Sequence, residues 1–209
     1  MPLLCIQRKR CWVVETVRKS FFGLLAGLAL LAGCAPEASF EYTDRLNAYV
    51  GEDGRQLILE DFPENEMEAV VADFYGAEIT RDYSAQAAIA KWVDEETLKT
   101  EQTYAEESYH DGYYIEKYVL KEFVTVETEE FQEAEQYIPR AEENIQEKQL
   151  EEAAFVGLLF DQTWSSLERA PQWGDGEHFR LFLIGRPVNG DWAIYDLSAY
   201  TSYPGGLKK

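Results

Sequence analysis

HFRLFLIGRPVNGDWAIYDLSAY, residues 178–200, is the stretch that decides the fold. Its first part, His178 to Arg186, and its last part, Trp192 to Tyr200, are rich in β-branched and aromatic residues, which predicts two strands. Between them stands Asn189-Gly190, a pair that tolerates the positive φ angles of a tight hairpin turn. The stretch therefore predicts a β-hairpin in an antiparallel sheet.

Two segments upstream of this hairpin carry the same kind of residues. Tyr114 to Thr128 predicts a long strand, and Ala153 to Trp164 is apolar enough for a central strand. The segment between them, Glu129 to Gln149, is rich in Glu, Gln and Ala. We expect it to be either a helical insertion or an excursion between two strands.

The first half of the chain has helical spacing instead. Apolar residues recur at helical intervals from Met67 to Arg81, and a second helix is predicted from Ser84, as N-cap, to Val93. A third, short helix is predicted to start at Asp94. Arg45 to Leu59 contains a Gly-Glu-Asp-Gly turn and predicts a small hairpin or an irregular arm. Helices followed by antiparallel strands predict the α+β class.

The N-terminus carries the features of an export signal. Basic residues precede an apolar run, Phe21 to Ala32, which ends in Leu31-Ala32-Gly33-Cys34. A basic flank, a short apolar core and small residues before a cleavage site are the three parts of a secretory signal. The run of about 12 to 16 residues is shorter than the roughly 20 needed for a membrane-spanning helix.

Leu31-Ala32-Gly33-Cys34 resembles the lipobox of bacterial lipoproteins. The resemblance implies that the thiol of Cys34 receives a diacylglycerol and that cleavage makes Cys34 the first mature residue. We therefore expect a signal peptide over 1–33, a tether and N-terminal arm over 34–63, and an α+β domain over 64–203. The domain would be held on the extracytoplasmic face of the cell membrane. The alternatives are an uncleaved anchor or an ordinary signal with a chance cysteine, and translation is expected to begin near Val13 or Val14.

The charge of the chain restricts its partners. The full chain has a formal charge of -20, and removal of residues 1–33 leaves 14 basic and 38 acidic side chains, a charge of -24. Such a surface repels nucleic acid and anionic lipid headgroups, so the lipid on Cys34 is the expected attachment to the membrane. Because Cys34 is the only cysteine left, the mature chain can form no intramolecular disulfide and no cysteine metal site.

The predicted helices and the closing hairpin together resemble the NTF2-like (cystatin-like) superfamily. The resemblance rests on the helix Met67 to Arg81, the short helix Ser84 to Asp94, and Asn189 to Asp196, and it covers roughly residues 64–200. Small lipoproteins of Gram-positive bacteria with such a domain are known. The resemblance implies helices packed on a curved, cone-shaped antiparallel sheet with a pocket at its open end.

Candidate site residues follow from this resemblance and from the aromatic content. Some NTF2-like enzymes place a His/Asp pair in the pocket for acid–base chemistry, so His178, His110 and Asp196 are candidates. Tyrosines are dense at positions 104, 109, 113, 114 and 118. They predict packing on a sheet face or, alternatively, an aromatic cleft for a sugar or peptide, with Tyr118 as a candidate pocket residue.

The sequence favours a binding protein over an enzyme. It has no phosphate loop or nucleophile elbow, and its acidic turns lack the ligand spacing of a calcium loop, so we expect no cofactor and no metal. The leading hypothesis is a non-enzymatic domain that binds a small ligand, a cell-wall fragment or another envelope protein. The alternatives are an NTF2-like enzyme with a histidine and a carboxylate in its pocket, and an accessory subunit without a pocket.

Overall fold

The structure is a computed structural model, and it describes residues 48–51, 53–127, 138, 140–166, 168 and 174–200. The expected signal peptide, Cys34 and half of the expected tether and arm lie outside these residues, as do residues 129–137 and 139 of the acidic segment. Within the described ranges, no helix is long and apolar enough to span a membrane.

The described residues form ten helices and strands that belong to the α+β class. In chain order they are β1 (Ala48–Val50), β2 (Gln56–Leu59), α1 (Glu66–Thr80), α2 (Tyr83–Ile89), α3 (Glu95–His110), β3 (Ile115–Glu127), α4 (Ala141–Glu147), β4 (Leu150–Trp164), β5 (Gly176–Pro187) and β6 (Ala193–Tyr200). The six strands make one sheet in the order β1-β2-β3-β4-β5-β6. All neighbours are antiparallel except β2 and β3.

The hairpin of residues 178–200 is confirmed. Strands β5 and β6 pair with Ile184 opposite Ile194, and the Gly190 N–H donates to the Pro187 carbonyl at 2.9 Å. Asn189 takes the left-handed conformation with φ 57°. The turn therefore uses the conformational tolerance of Asn189 that the sequence predicted.

The N-terminal arm is a hairpin that joins the sheet. Strand β1 pairs with β2, and β2 then runs parallel to β3, with Leu57 opposite Tyr118. A parallel neighbour needs a long connection, and here the three helices provide it. The sequence predicted a purely antiparallel sheet, because a four-residue strand separated from its neighbour by helices carries no signal of its direction.

Two helix predictions need correction. The N-cap of α2 is Asp82, whose carboxylate accepts from the Ala85 N–H at 2.9 Å, and Ser84 lies inside the helix. Helix α3 begins after Asp94 as predicted, but it is not short, since it has 16 residues and ends at His110. Its sequence buries only Leu98, so it lacks the apolar stripe by which a long helix is recognised.

Both faces of the sheet are covered. Helix α1 packs on one face, where Tyr75 contacts Tyr118 and Phe160 at ring-centroid distances of 4.7 and 5.1 Å. Helix α4, which lies in the segment predicted as a helical insertion or an excursion, helps to cover the other face through Ala141 and Ile145. Strand β5 contributes buried side chains to the hydrophobic cluster on each face of the sheet, because alternate side chains of a strand point to opposite faces.

Candidate functional site

A cavity of about 420 Å³ lies between the three N-terminal helices and one end of the sheet. This volume is within the roughly 300–1,000 Å³ range of small-molecule sites. The sheet contributes Arg55 before β2, Ile115 at the start of β3 and Trp164 at the end of β4. The ends of β3 and β4 meet there because Ile115 pairs with Trp164. The C-terminal half of α1, the start of α2 and the inner side of α3 complete the walls.

Aromatic side chains dominate these walls. They are Phe74, Tyr83, Trp92, Tyr104, Tyr109, Tyr113, Tyr114 and Trp164. Tyr113 is stacked on Trp164, with the ring centroids 5.0 Å apart and the planes at 16°. Phe74 meets Trp92 edge to face at 5.5 Å. The walls thus offer flat ring faces together with the hydroxyl groups of several tyrosines.

Two arginines stand among the rings. Arg55 is buried, and its Nε donates to Asp53 Oδ2 at 2.8 Å. The guanidinium of Arg81 lies 3.9 Å above the Tyr109 ring, a cation–π contact, and its Nη1 donates to Glu106 Oε1 at 3.3 Å. Each arginine therefore has a carboxylate partner close to the cavity.

Glu106 connects two of the helices that form the cavity. Its second oxygen accepts from the Tyr83 hydroxyl at 2.8 Å, while its first oxygen is near Arg81. Burial, together with this hydrogen bond and the negative charge of Glu106, raises the pKa of Tyr83 to about 12. Tyr83 is therefore a neutral hydrogen-bond donor at physiological pH.

A cluster of partly buried polar groups lies below the aromatic walls. Glu78 lines the cavity, and its Oε1 accepts from the Tyr118 hydroxyl at 2.9 Å. Arg180 lies beneath α1 and donates to the Tyr75 hydroxyl at 3.4 Å. Burial raises the pKa of Glu78, because it outweighs the opposite effects of the Arg180 charge and the Tyr118 hydrogen bond.

Replacement of Glu78 by glutamine is expected to change how stability depends on pH. Because the folded pKa of Glu78 is raised above 4.5, the stability that its protonated form confers is fully present below pH 4.5 and is lost as the pH rises through the folded pKa. Each unit of pKa difference corresponds to about 1.4 kcal/mol. The free energy of unfolding of Glu78→Gln, relative to wild type, should therefore increase between pH 4.5 and pH 8.

Urea denaturation at several pH values measures this difference. Glu101→Gln is the matched control, because it removes the same charge from an exposed position in the same cavity. A difference between Glu78→Gln and wild type that stays constant across the range would contradict the assignment.

Two N–H groups of cavity-lining residues have no acceptor among the described residues. They are Arg81 Nε and Trp164 Nε1, and both are shielded by their neighbours. A buried donor without an acceptor costs about 1–3 kcal/mol. A ligand atom that accepts from either group would recover this free energy.

The structure places the candidate residues from the sequence in different regions. His178 lies on β5, its Nε2 is 3.2 Å from the Gly174 carbonyl, and its ring packs on Phe160. Asp196 accepts from Asn144 of α4 at 2.7 Å, and burial raises its pKa. Tyr118 is buried in the core below the cavity. None of these three side chains lines the cavity. Tyr118 is linked to it indirectly, because its hydroxyl donates to Glu78, which does line the cavity.

His110 is also outside the cavity. Its Nε2 is 3.4 Å from Glu106 Oε1, but the side chain is 71% exposed at the end of α3. The sequence placed it in a turn that enters a strand, whereas Asp111 and Gly112 form that turn. The residues that sequence reasoning missed are the arginines Arg55 and Arg81, and Trp164.

The dense tyrosines were the one sequence signal for this site. Tyr104, Tyr109, Tyr113 and Tyr114 all line the cavity, and the first two belong to α3 rather than to a sheet face. Across the described ranges, no three His, Cys, Asp or Glu side chains are grouped in a way that could hold a metal ion.

Comparison with known proteins gives no relative for this chain. No protein-family model, curated protein or solved structure matches it.

Proposed function

We propose that this protein is an extracytoplasmic lipoprotein whose α+β domain binds a small molecule in the cavity between its helices and its sheet. The observation that carries the proposal is the aromatic wall with two N–H donors, Arg81 Nε and Trp164 Nε1, for which the described part of the chain supplies no acceptor. Small-ligand sites are concave and largely apolar, with a few polar groups that fix the orientation of the ligand. The cavity has each of these properties.

Binding is favoured over catalysis by the positions of the histidines. An acid–base mechanism with a histidine and a carboxylate needs both groups within reach of one substrate. His178 is bonded to a backbone carbonyl outside the cavity, and His110 meets Glu106 on an exposed helix surface. Glu106 is also engaged by Arg81 and Tyr83, so this pair is part of the helix packing.

We also propose that the domain is NTF2-like. The arrangement that supports this is a set of helices on one face of a single sheet, with the cavity at one end of that sheet. The pairing of β3 with β4 is irregular between Leu120 and Glu122, and irregularities of this kind bend strands. The parallel β2–β3 pair and helix α4 are additions to the helices and antiparallel strands on which the resemblance rests.

A thermal-shift screen tests the binding function. The full lipidated chain in detergent would be heated with a panel of metabolites and envelope saccharides. A bound compound stabilises the folded state by mass action, by about 2.7 kcal/mol at one hundred times its Kd. We expect at least one compound to raise the melting temperature in a concentration-dependent way. A panel without any such compound would count against the proposal.

Replacement of Cys34 by alanine tests the location. Without its thiol, residue 34 cannot receive the diacylglycerol, and a strongly acidic domain has no attraction for anionic lipid headgroups. We therefore expect the variant to leave the washed membrane fraction or to accumulate uncleaved. Ser39→Ala is the control, because it is a similarly small change five residues further along the chain and leaves the thiol of Cys34 in place. A Cys34→Ala protein that is cleaved and stays membrane-bound would contradict the lipoprotein assignment.

A further inference from the structure

We propose that the ligand of the cavity is a neutral saccharide with at least one pyranose ring. This proposal rests on the proposed binding function and specifies the chemical class of the ligand. The argument uses the shape of the walls, the balance of charges and the supply of hydrogen-bonding groups.

The walls suit a ring with an apolar face. Trp164 and Tyr113 lie nearly parallel at 16°, and Trp92 presents a second indole in the same cavity. The axial C–H groups of a pyranose are apolar and slightly positive, so they pack on the negative face of an aromatic ring. Flat aromatic platforms of this kind bind a sugar ring without the need for a charged ligand.

Both arginines that line the cavity are already paired with carboxylates of the protein. Arg55 is paired with Asp53 and Arg81 with Glu106, at 2.8 and 3.3 Å. A ligand anion would have to compete with these carboxylates and would also meet Glu78 and Glu101, and a ligand cation would face two guanidinium groups. A neutral ligand avoids both costs.

The hydrogen-bonding groups of the cavity include both donors and acceptors. Arg81 Nε and Trp164 Nε1 have N–H groups without an acceptor among the described residues, and Glu78 and Glu101 provide carboxylate oxygens. A sugar hydroxyl both donates and accepts, so one ring can satisfy groups of both kinds. A hydrocarbon ligand would leave these polar groups buried without partners, which is unfavourable.

Because both N–H groups are shielded, the ligand reaches them only when a neighbouring wall side chain moves. Tyr113 is stacked on Trp164 and Tyr109 packs on Arg81, so a shift of these two half-buried side chains changes the surroundings of the donors. Side-chain rotamer changes are common when ligands bind.

A glycan array with the full lipidated chain in detergent tests the proposal. The array would carry neutral pyranose oligosaccharides, including cell-wall fragments, and calorimetry would give the Kd of the best one. Indole-3-acetate would serve as an anionic probe and choline as a cationic probe, because each of them can pack against an aromatic side chain. We expect saccharide binding, which Trp164→Ala weakens about tenfold through loss of the platform and the N–H donor.

Trp192→Ala is the matched control. Trp192 is another partly buried indole, which packs on Arg186 and donates its N–H to Glu66, but it is outside the cavity. If Trp164→Ala fails to fold, Trp164→Phe keeps an aromatic ring but removes the donor and part of the stacking surface, and it should weaken binding about fivefold.

Three results would overturn the saccharide assignment. Binding of only indole-3-acetate or choline would replace it with a charged ligand and would leave the small-molecule function intact. Saccharide binding that is equal in folded Trp164→Ala and in Trp192→Ala would place the sugar elsewhere. An array without any bound saccharide, together with a thermal-shift panel without any active compound, would overturn both the ligand class and the binding function.

Discussion

Tyr75→Ala is expected to lower the free energy of unfolding by about 3–5 kcal/mol, the range measured for large aromatic side chains in cores. Tyr75 is fully buried and joins α1 to the sheet. Its ring contacts Tyr118, Phe160 and Phe182 at centroid distances of 4.7, 5.1 and 6.4 Å. Removal of this ring leaves a cavity between the helix and three strands, which the surrounding aromatic rings cannot fill by small movements. Urea denaturation measures the loss.

Tyr75→Phe separates the ring from its hydroxyl group. The hydroxyl accepts from Arg180 at 3.4 Å, a long hydrogen bond, so its removal should cost about 1 kcal/mol or a little more. A Tyr75→Ala loss as small as that of Tyr75→Phe would show that α1 is not held by this aromatic cluster. It would then undermine the position of the cavity, since α1 forms one of its walls.

Ser108→Trp is expected to weaken ligand binding strongly while the protein stays folded. Ser108 lies on the cavity side of α3, and a tryptophan there would occupy volume that a ligand needs. We expect the affinity for the most stabilising compound of the thermal-shift panel to fall more than about tenfold, which corresponds to roughly 1.4 kcal/mol. Calorimetry on the full chain in detergent measures the affinity.

Thr100→Trp is the matched control for this variant. Thr100 lies on the same helix, is exposed and does not line the cavity. The Thr100→Trp variant therefore adds the same side chain to the same helix, but outside the cavity. It should leave binding unchanged, and both variants should keep the melting temperature within a few degrees of wild type. Equal binding by Ser108→Trp, Thr100→Trp and wild type would contradict the location of the site.

Strands and turns with strong local signals were predictable. The hairpin follows from Asn189-Gly190 between two apolar runs, and β4 and β5 follow from runs that are buried on both faces. Helix α1 follows from its apolar spacing, since Val71, Phe74, Tyr75 and Ile79 are buried at helical intervals. In each case one local pattern determines the structure of one segment.

Features that depend on tertiary contacts were not predictable. Helix α3 buries one residue and shows no stripe, so its length depends on the capping carboxylate of Asp94 and on packing over the cavity. Arg55 and Trp164 both line the cavity. They lie at the same end of the sheet only because β2 pairs with β3 and β3 pairs with β4. The dense tyrosines at positions 104–118 indicated part of the site. Their spacing along the sequence did not show that Tyr104 and Tyr109 lie on a helix.

The side-chain indole N–H signals of the full chain, in ¹H–¹⁵N NMR spectra, test the central claim most directly. The compound with the largest thermal shift would be titrated, with signals assigned from Trp164→Phe and Trp192→Phe spectra. Because Trp164 lines the cavity and Trp192 donates to Glu66 outside it, we expect the Trp164 signal to move and the Trp192 signal to stay in place. Movement of Trp192 with an unchanged Trp164 signal would contradict a ligand site in the cavity.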